Sequence, residues 1–121
     1  MYIQVIGAGS WGLALTRVLA NCGHTVRLWC REEDNPDRLR ETRENAEFLP
    51  GVKLPESVEV VTDVDPDVAM AVLAVPSHAM RKIAAQYPLS SRTIRVSVAK
   101  GIENDSLMRM SEVIADASGP C

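Results

Sequence analysis

The stretch Tyr2-Ile3-Gln4-Val5-Ile6-Gly7-Ala8-Gly9-Ser10-Trp11-Gly12 decides the fold. Tyr2 to Ile6 is short, rich in β-branched residues and stopped by a glycine, so it reads as a buried first strand. Beyond the glycines, Trp11, Ala14, Leu15, Val18, Leu19 and Cys22 recur at helical spacing. They predict the inner face of a helix, with Gly23 placed to end it. In the spacing Gly7-x-Gly9-x-x-Gly12, the first glycine permits the tight turn and the second lets a bound group approach the backbone. The third allows close packing of helix on strand. N–H groups at the helix start, with the helix dipole behind them, favour a phosphate. Strand, turn and periodic helix in this order make the turn a pyrophosphate site for a dinucleotide, with Gly7, Gly9 and Gly12 as its residues.

Outward from this unit, strands and helices alternate. Thr25 to Cys30 reads as the second strand, followed by the charged stretch Arg31 to Glu47, in which Asp37 to Asn45 is expected as an exposed helix. Phe48 to Pro55 is a loop by its prolines and glycine, and Ser57 to Thr62 a third strand. Val68 to Val75 is the most apolar segment and reads as a central strand buried on both faces. Ala79, Met80, Ile83, Ala84 and Tyr87 mark a helix closed by Pro88, and Thr93 to Ala99 a further strand. Leu107, Met110, Val113, Ile114 and Ala117 predict the last helix, with Asp105 or Ser106 as its cap. This pattern is an α/β, doubly wound, mostly parallel Rossmann-type sheet with helices on both faces. Its expected strand order is 3-2-1-4-5, with the ligand crevice outside the carboxyl ends of strands one and four.

Length and composition agree with one soluble domain. The 121 residues suffice for one domain and are too few for two, and 46% hydrophobic against 24% charged residues is the balance of a globular chain. A net charge of −3 without a basic stripe argues against nucleic-acid binding. No segment approaches the roughly 20 apolar residues of a membrane span, and the start reads as a strand, not a leader. Cys22, Cys30 and Cys121 form no CxxC, leave one thiol over in any disulfide scheme and suggest no metal site. Cys22 and Cys30 are read as small packing residues, and the chain as cytoplasmic.

Three further motifs fall where the fold puts its crevice. At the tip of the second strand, Arg31 precedes Glu32. Arginine offers a donor fork that matches a phosphate, which favours NADP(H), while Glu32 could accept from ribose hydroxyls and keeps NAD(H) open. In Val75-Pro76-Ser77-His78, the proline can stop the strand and Ser77 can cap the next helix. Lining the cofactor, or a structural role, is the favoured reading of this block over acid–base work by His78. In Ala99-Lys100-Gly101, a lysine stands at the end of the last strand, where it could hold a substrate phosphate or a carbonyl oxygen.

Taken together, these blocks resemble the amino-terminal domain of the bacterial-type NAD(P)-dependent glycerol-3-phosphate dehydrogenases. The matching segments are Val5 to Gly12, Gly23-His24 with Val26-Arg27-Leu28-Trp29, and Arg43-Glu44-Asn45 with Phe48-Leu49-Pro50-Gly51. Val75-Pro76-Ser77-His78 and Lys100-Gly101-Ile102-Glu103 complete the set in the family's order. The resemblance implies hydride transfer between NAD(P)H and dihydroxyacetone phosphate, giving sn-glycerol 3-phosphate for phospholipid synthesis. It further implies that Ser10, Trp11 and Arg31 contact the cofactor, and that Lys100 touches both substrate and cofactor. The family's proton-transfer lysine lies in a helical domain beyond residue 121, so no catalytic residue is expected in this chain.

The family's glycine-proline substrate-phosphate motif lies well beyond the crevice lysine, and Ser118-Gly119-Pro120-Cys121 follows Lys100 too closely to be it. The chain is therefore expected to be a partial cofactor domain without the substrate domain. It should bind a dinucleotide and turn over little or no phosphorylated three-carbon substrate. Self-association through apolar surface left uncovered is a further expectation. Two other readings remain: a 6-phosphogluconate or ketopantoate reductase-like dehydrogenase, and a non-enzymatic dinucleotide-sensing module.

Overall fold

A computed structural model describes residues 1–47, 49–99, 103–104 and 106–118. Five strands, β1 (Tyr2–Ile6), β2 (Thr25–Trp29), β3 (Glu59–Val61), β4 (Met70–Leu73) and β5 (Ile94–Ser97), form one sheet in the order β3-β2-β1-β4-β5. Every pairing is parallel. The order expected from the sequence is the order found. Among the described residues, four α-helices accompany the strands: α1 (Ser10–Asn21), α2 (Pro36–Thr42), α3 (Met80–Gln86) and α4 (Met110–Ser118).

Side-chain alternation along the strands divides the core in two. Ile3, Val5, Val26, Leu28, Val60 and Val72 pack with Leu13 of α1 and Leu39 of α2 on one face. Ile6, Trp29, Ala71 and Leu73 pack with Met80 and Ile83 of α3 and with Met110, Val113 and Ile114 of α4 on the other. Such burial on both faces is what near-continuous apolar strands require. Within the described strands, Gln4 is polar and fully buried, and its amide is satisfied by the Asp63 carbonyl and the Asp65 N–H.

Helix ends follow local chemistry. After α1, Gly23 (φ 92°) donates to the Ala20 carbonyl and His24 to that of Leu19, the paired bonds of a Schellman ending. Asn35 caps α2 by accepting from the Arg38 N–H, and Pro36 occupies the first turn, where a missing N–H costs nothing. A 3₁₀ turn, Glu32–Asp34, precedes it.

Three expectations are corrected. The inner face of α1 centres on Gly12, Leu13 and Thr16; Leu15 and Leu19 pack against the core as expected, while Trp11 and Val18 are 66% and 57% exposed and Cys22 is also exposed. Contact between Gly12 and the first turn sets this rotation, carrying Trp11 outward by one helical step. Cys30 is buried as read, and burial pushes its thiol up to about 11, the state of an inert packing residue. Next, α2 is not simply exposed, since Pro36 and Leu39 are buried. The last helix begins at Met110; Leu107 stands outside it at φ 60° and is exposed. Ser106 instead donates to Glu103 and accepts from the Met108 N–H, and Asp105 lies outside the described residues.

Among the described glycines, Gly12 has the tightest surroundings. A Cβ there would fall 1.8 Å from the Gly7 carbonyl oxygen. Gly12→Ala must push α1 off the sheet and should cost at least about 1–3 kcal/mol, as overpacking does. Urea unfolding followed by circular dichroism measures this directly.

Candidate functional site

Register brings the carboxyl ends of the strands level: Ile6 lies opposite both Trp29 and Leu73. The ladder runs one residue further, with Gly7 donating to the Trp29 carbonyl, Ala74 to that of Ile6 and Val98 to that of Leu73. Beyond this edge the chains part, β1 into α1 on one face and β4 into α3 on the other. The gap is a crevice of about 570 Å³.

The glycine turn forms its floor. Gly7 adopts φ 124°, and a Cβ on it would lie 2.5 Å from the Ala74 oxygen, so both its conformation and its surroundings demand glycine. Gly9 is different. Its φ of −77° suits any residue, and a Cβ built on it meets nothing within 4 Å. Folding makes no demand for glycine at position 9; the room above it belongs to the crevice. Gly9 is also the residue before the first turn of α1, so the amino end of that helix faces the same space without a capping side chain.

Gly7, Gly9, Ser10, Trp11, Arg31, Val75 and Pro76 are thus brought together on the crevice wall. Gly12 lies beneath, as the packing residue of the turn. Glu32 is an exposed residue of the 3₁₀ turn and is not on the wall. The carboxylate on the wall is that of Asp34. It receives Arg31 Nε at 3.1 Å, Nη2 at 2.9 Å and the Arg31 backbone N–H at 3.2 Å. This fork holds the Asp34 carboxyl below the usual carboxylate range and keeps Arg31 firmly cationic. Reading the strand tip residue by residue missed Asp34. The available signal was its spacing, since a residue three positions on in a tight turn returns beneath the first.

On the opposite wall, Val75, Pro76, Ser77 and His78 leave β4 and enter a 3₁₀ turn. Ser77 caps neither that turn nor α3, correcting its expected role. His78 lines the crevice as an exposed side chain. Val98 and Ala99 complete this side; Lys100, the next residue, lies outside the described residues.

Two of the sequence blocks contribute scaffold residues. Arg43 donates to the Pro55 and Val58 carbonyls, and Glu44 accepts from the Gly51 N–H, tying the loop after α2 to itself. Glu103 meets Arg81 of α3 in a bidentate pair at 2.8 and 3.0 Å, and Arg81 also reaches Asp116 of α4. Among the described residues, no helix is long and apolar enough to cross a membrane.

An all-parallel sheet in this order, with a glycine turn at the mouth of the β1/β4 crevice, is a Rossmann-type nucleotide-binding fold. Residues 2–120 match the family model described as NAD-dependent glycerol-3-phosphate dehydrogenase N-terminus, and the chain belongs to that family. It is 45% identical to a glycerol-3-phosphate dehydrogenase [NAD(P)+] of Corynebacterium kroppenstedtii, over 97% of this chain and 37% of the relative. The crystal structure of glycerol-3-phosphate dehydrogenase from Coxiella burnetii superposes with a TM-score of 0.84 at 31% identity, over 98% of this chain and 38% of that one. The chain therefore spans just over a third of the length of these relatives. A 2-dehydropantoate 2-reductase from Methylococcus capsulatus, at TM-score 0.64 and 21% identity, shares the fold alone.

The Glu103 carboxyl is held below the ordinary glutamate range, first by Arg81 and then by Ser106. A lowered pKa stabilises the fold above the unfolded value and loses that contribution as pH falls toward the folded one. Glu103→Gln should therefore melt lower than the native chain at neutral pH, with the gap closing below roughly pH 4. Thermal melts across that range decide it.

Proposed function

We propose that the crevice binds a nicotinamide dinucleotide, with the pyrophosphate over Gly9 against the amino end of α1. The observation that carries this is Gly9 itself, a glycine that neither backbone angle nor packing requires and whose missing side chain leaves open space. When bound, the cofactor supplies or accepts a hydride. The chain's part is to hold it: Ser10 and Trp11 from α1, Arg31 at the tip of β2, and Val75 and Pro76 across the crevice.

For the whole protein, the activity we propose is interconversion of dihydroxyacetone phosphate and sn-glycerol 3-phosphate. Family membership supports it, and Lys100, directly following the crevice residue Ala99, is the proposed contact to that substrate. We further propose that residues 1–121 are the cofactor-binding part, and that alone they turn over little or no substrate. Both NAD(H) and NADP(H) are proposed ligands. Arg31 is the residue that favours NADP(H), because among the described residues its Nη1 edge makes no bond and can meet a phosphate end-on.

Calorimetric titration with NADH and NADPH tests these assignments. Gly9→Ala should fold like the native chain and lose affinity for both cofactors together; unchanged affinity would remove the pyrophosphate from this turn. Arg31→Ala should weaken NADPH selectively, on the order of 1–3 kcal/mol. Equal loss for both cofactors would place Arg31 on the adenine instead.

A further inference from the structure

We infer that Asp34 is a cofactor-specificity residue that works against the 2′-phosphate, so that the balance between the two cofactors is set by the Arg31–Asp34 pair and not by Arg31 alone. This rests on the dinucleotide reading above and concerns only the adenosine end of that site.

Three observations carry it. First, Asp34 and Arg31 stand together on the crevice wall, so a group that reaches one reaches the other. Second, the carboxylate occupies the Nε/Nη2 edge of the guanidinium, one of the two edges that can grip a phosphate with two parallel bonds. A phosphate arriving at Arg31 is left with the other edge and meets a cation already neutralised by its neighbour. Third, Asp34 also lines a second recess of about 470 Å³, where among the described residues Glu33, Glu44 and Glu47 stand against one cation, Arg38. The ground around the pair is thus acidic. A 2′-phosphate would carry nearly two negative charges into it, whereas a 2′-hydroxyl carries none.

The pair has a second consequence. Asp34 returns to the Arg31 backbone N–H as well as its side chain, so the arginine is held in place at the cost of one of its two bidentate edges. Positioning and charge act in opposite directions on NADPH, and they can be separated. Asp34→Asn keeps an oxygen for Arg31 and removes the charge; Asp34→Glu keeps the charge.

The experiment is calorimetric titration of the native chain, Asp34→Asn and Asp34→Glu with NADH, NADPH, 5′-AMP and 2′,5′-ADP, at low and raised salt. Asp34→Asn should raise affinity for NADPH relative to NADH by about tenfold, the size expected for removing one unit charge near a dianion in water. The ratio of 2′,5′-ADP to 5′-AMP affinity should move in parallel, and salt should shrink both effects. Asp34→Glu should keep the native ratio. A ratio unchanged or lowered in Asp34→Asn would overturn the inference, a fall showing that Asp34 serves only to position Arg31. Native chain that binds none of the four ligands would instead defeat the dinucleotide reading itself. Should Asp34→Asn lose its native circular dichroism spectrum, Asp34→Ser provides the same comparison, and an unchanged ratio there counts equally against Asp34.

Discussion

The contact on which this structure depends is between pieces of backbone. Helix α1 rests so closely on the first turn that a methyl group at position 12 would occupy the Gly7 carbonyl. Gly7 in turn lies against the carbonyl of Ala74 at the end of β4. Three chain segments therefore meet with no side chain larger than the Ala74 methyl at the junction. That interlock fixes where α1 begins, and hence where its unpaired amide groups and positive dipole end are aimed. It also holds the ends of β1 and β4 level, which opens the crevice where the chains diverge to opposite faces. Close packing converts a local demand for glycine into the placement of the whole site.

The same contact explains what could be read from the amino acids and what could not. Strand order, parallel pairing and the two-sided core were legible, because buried parallel strands need apolar runs and right-handed crossovers leave few topologies. The Gly23 ending of α1 was legible for a similar reason, since only a residue at ease with positive φ closes a helix that way. The face of α1 was legible only in part, at Leu15 and Leu19. Trp11, Ala14, Leu15, Val18, Leu19 and Cys22 form a good apolar stripe by spacing, but glycine carries no hydrophobic signal. The residue that orients the helix, Gly12, was therefore invisible to periodicity. Leu107 was misplaced by the same kind of count: it fits the helical period of α4 yet precedes the helix, at φ 60°.

At the site, the motif spacing identified the turn, and the structure separated the duties of its glycines. Two serve packing, and one leaves space. Arg31 was visible from its place at a strand tip, but its partner was not, because a carboxylate in an acidic run looks like one solvated charge among several. Only the 3₁₀ turn brings Asp34, and not Glu32 or Glu33, back onto the guanidinium. Arg31 thus stands on the crevice wall as one half of an ion pair and not as a lone cation. Glu103 shows the converse: a residue inside a block near the crevice that acts as scaffold, tied to Arg81.

The central claim is that the space above Gly9, at the amino end of α1, is where the dinucleotide lies. It is tested most directly by following backbone amide signals of the ¹⁵N-labelled chain during addition of NADH. The account predicts the largest shifts at Gly9, Ser10, Trp11 and Gly12, with a second group at Arg31 and Asp34 and a third at Val75. Saturating NADH that leaves the amides of residues 9 to 12 unmoved, or shifts confined to another surface, would contradict it.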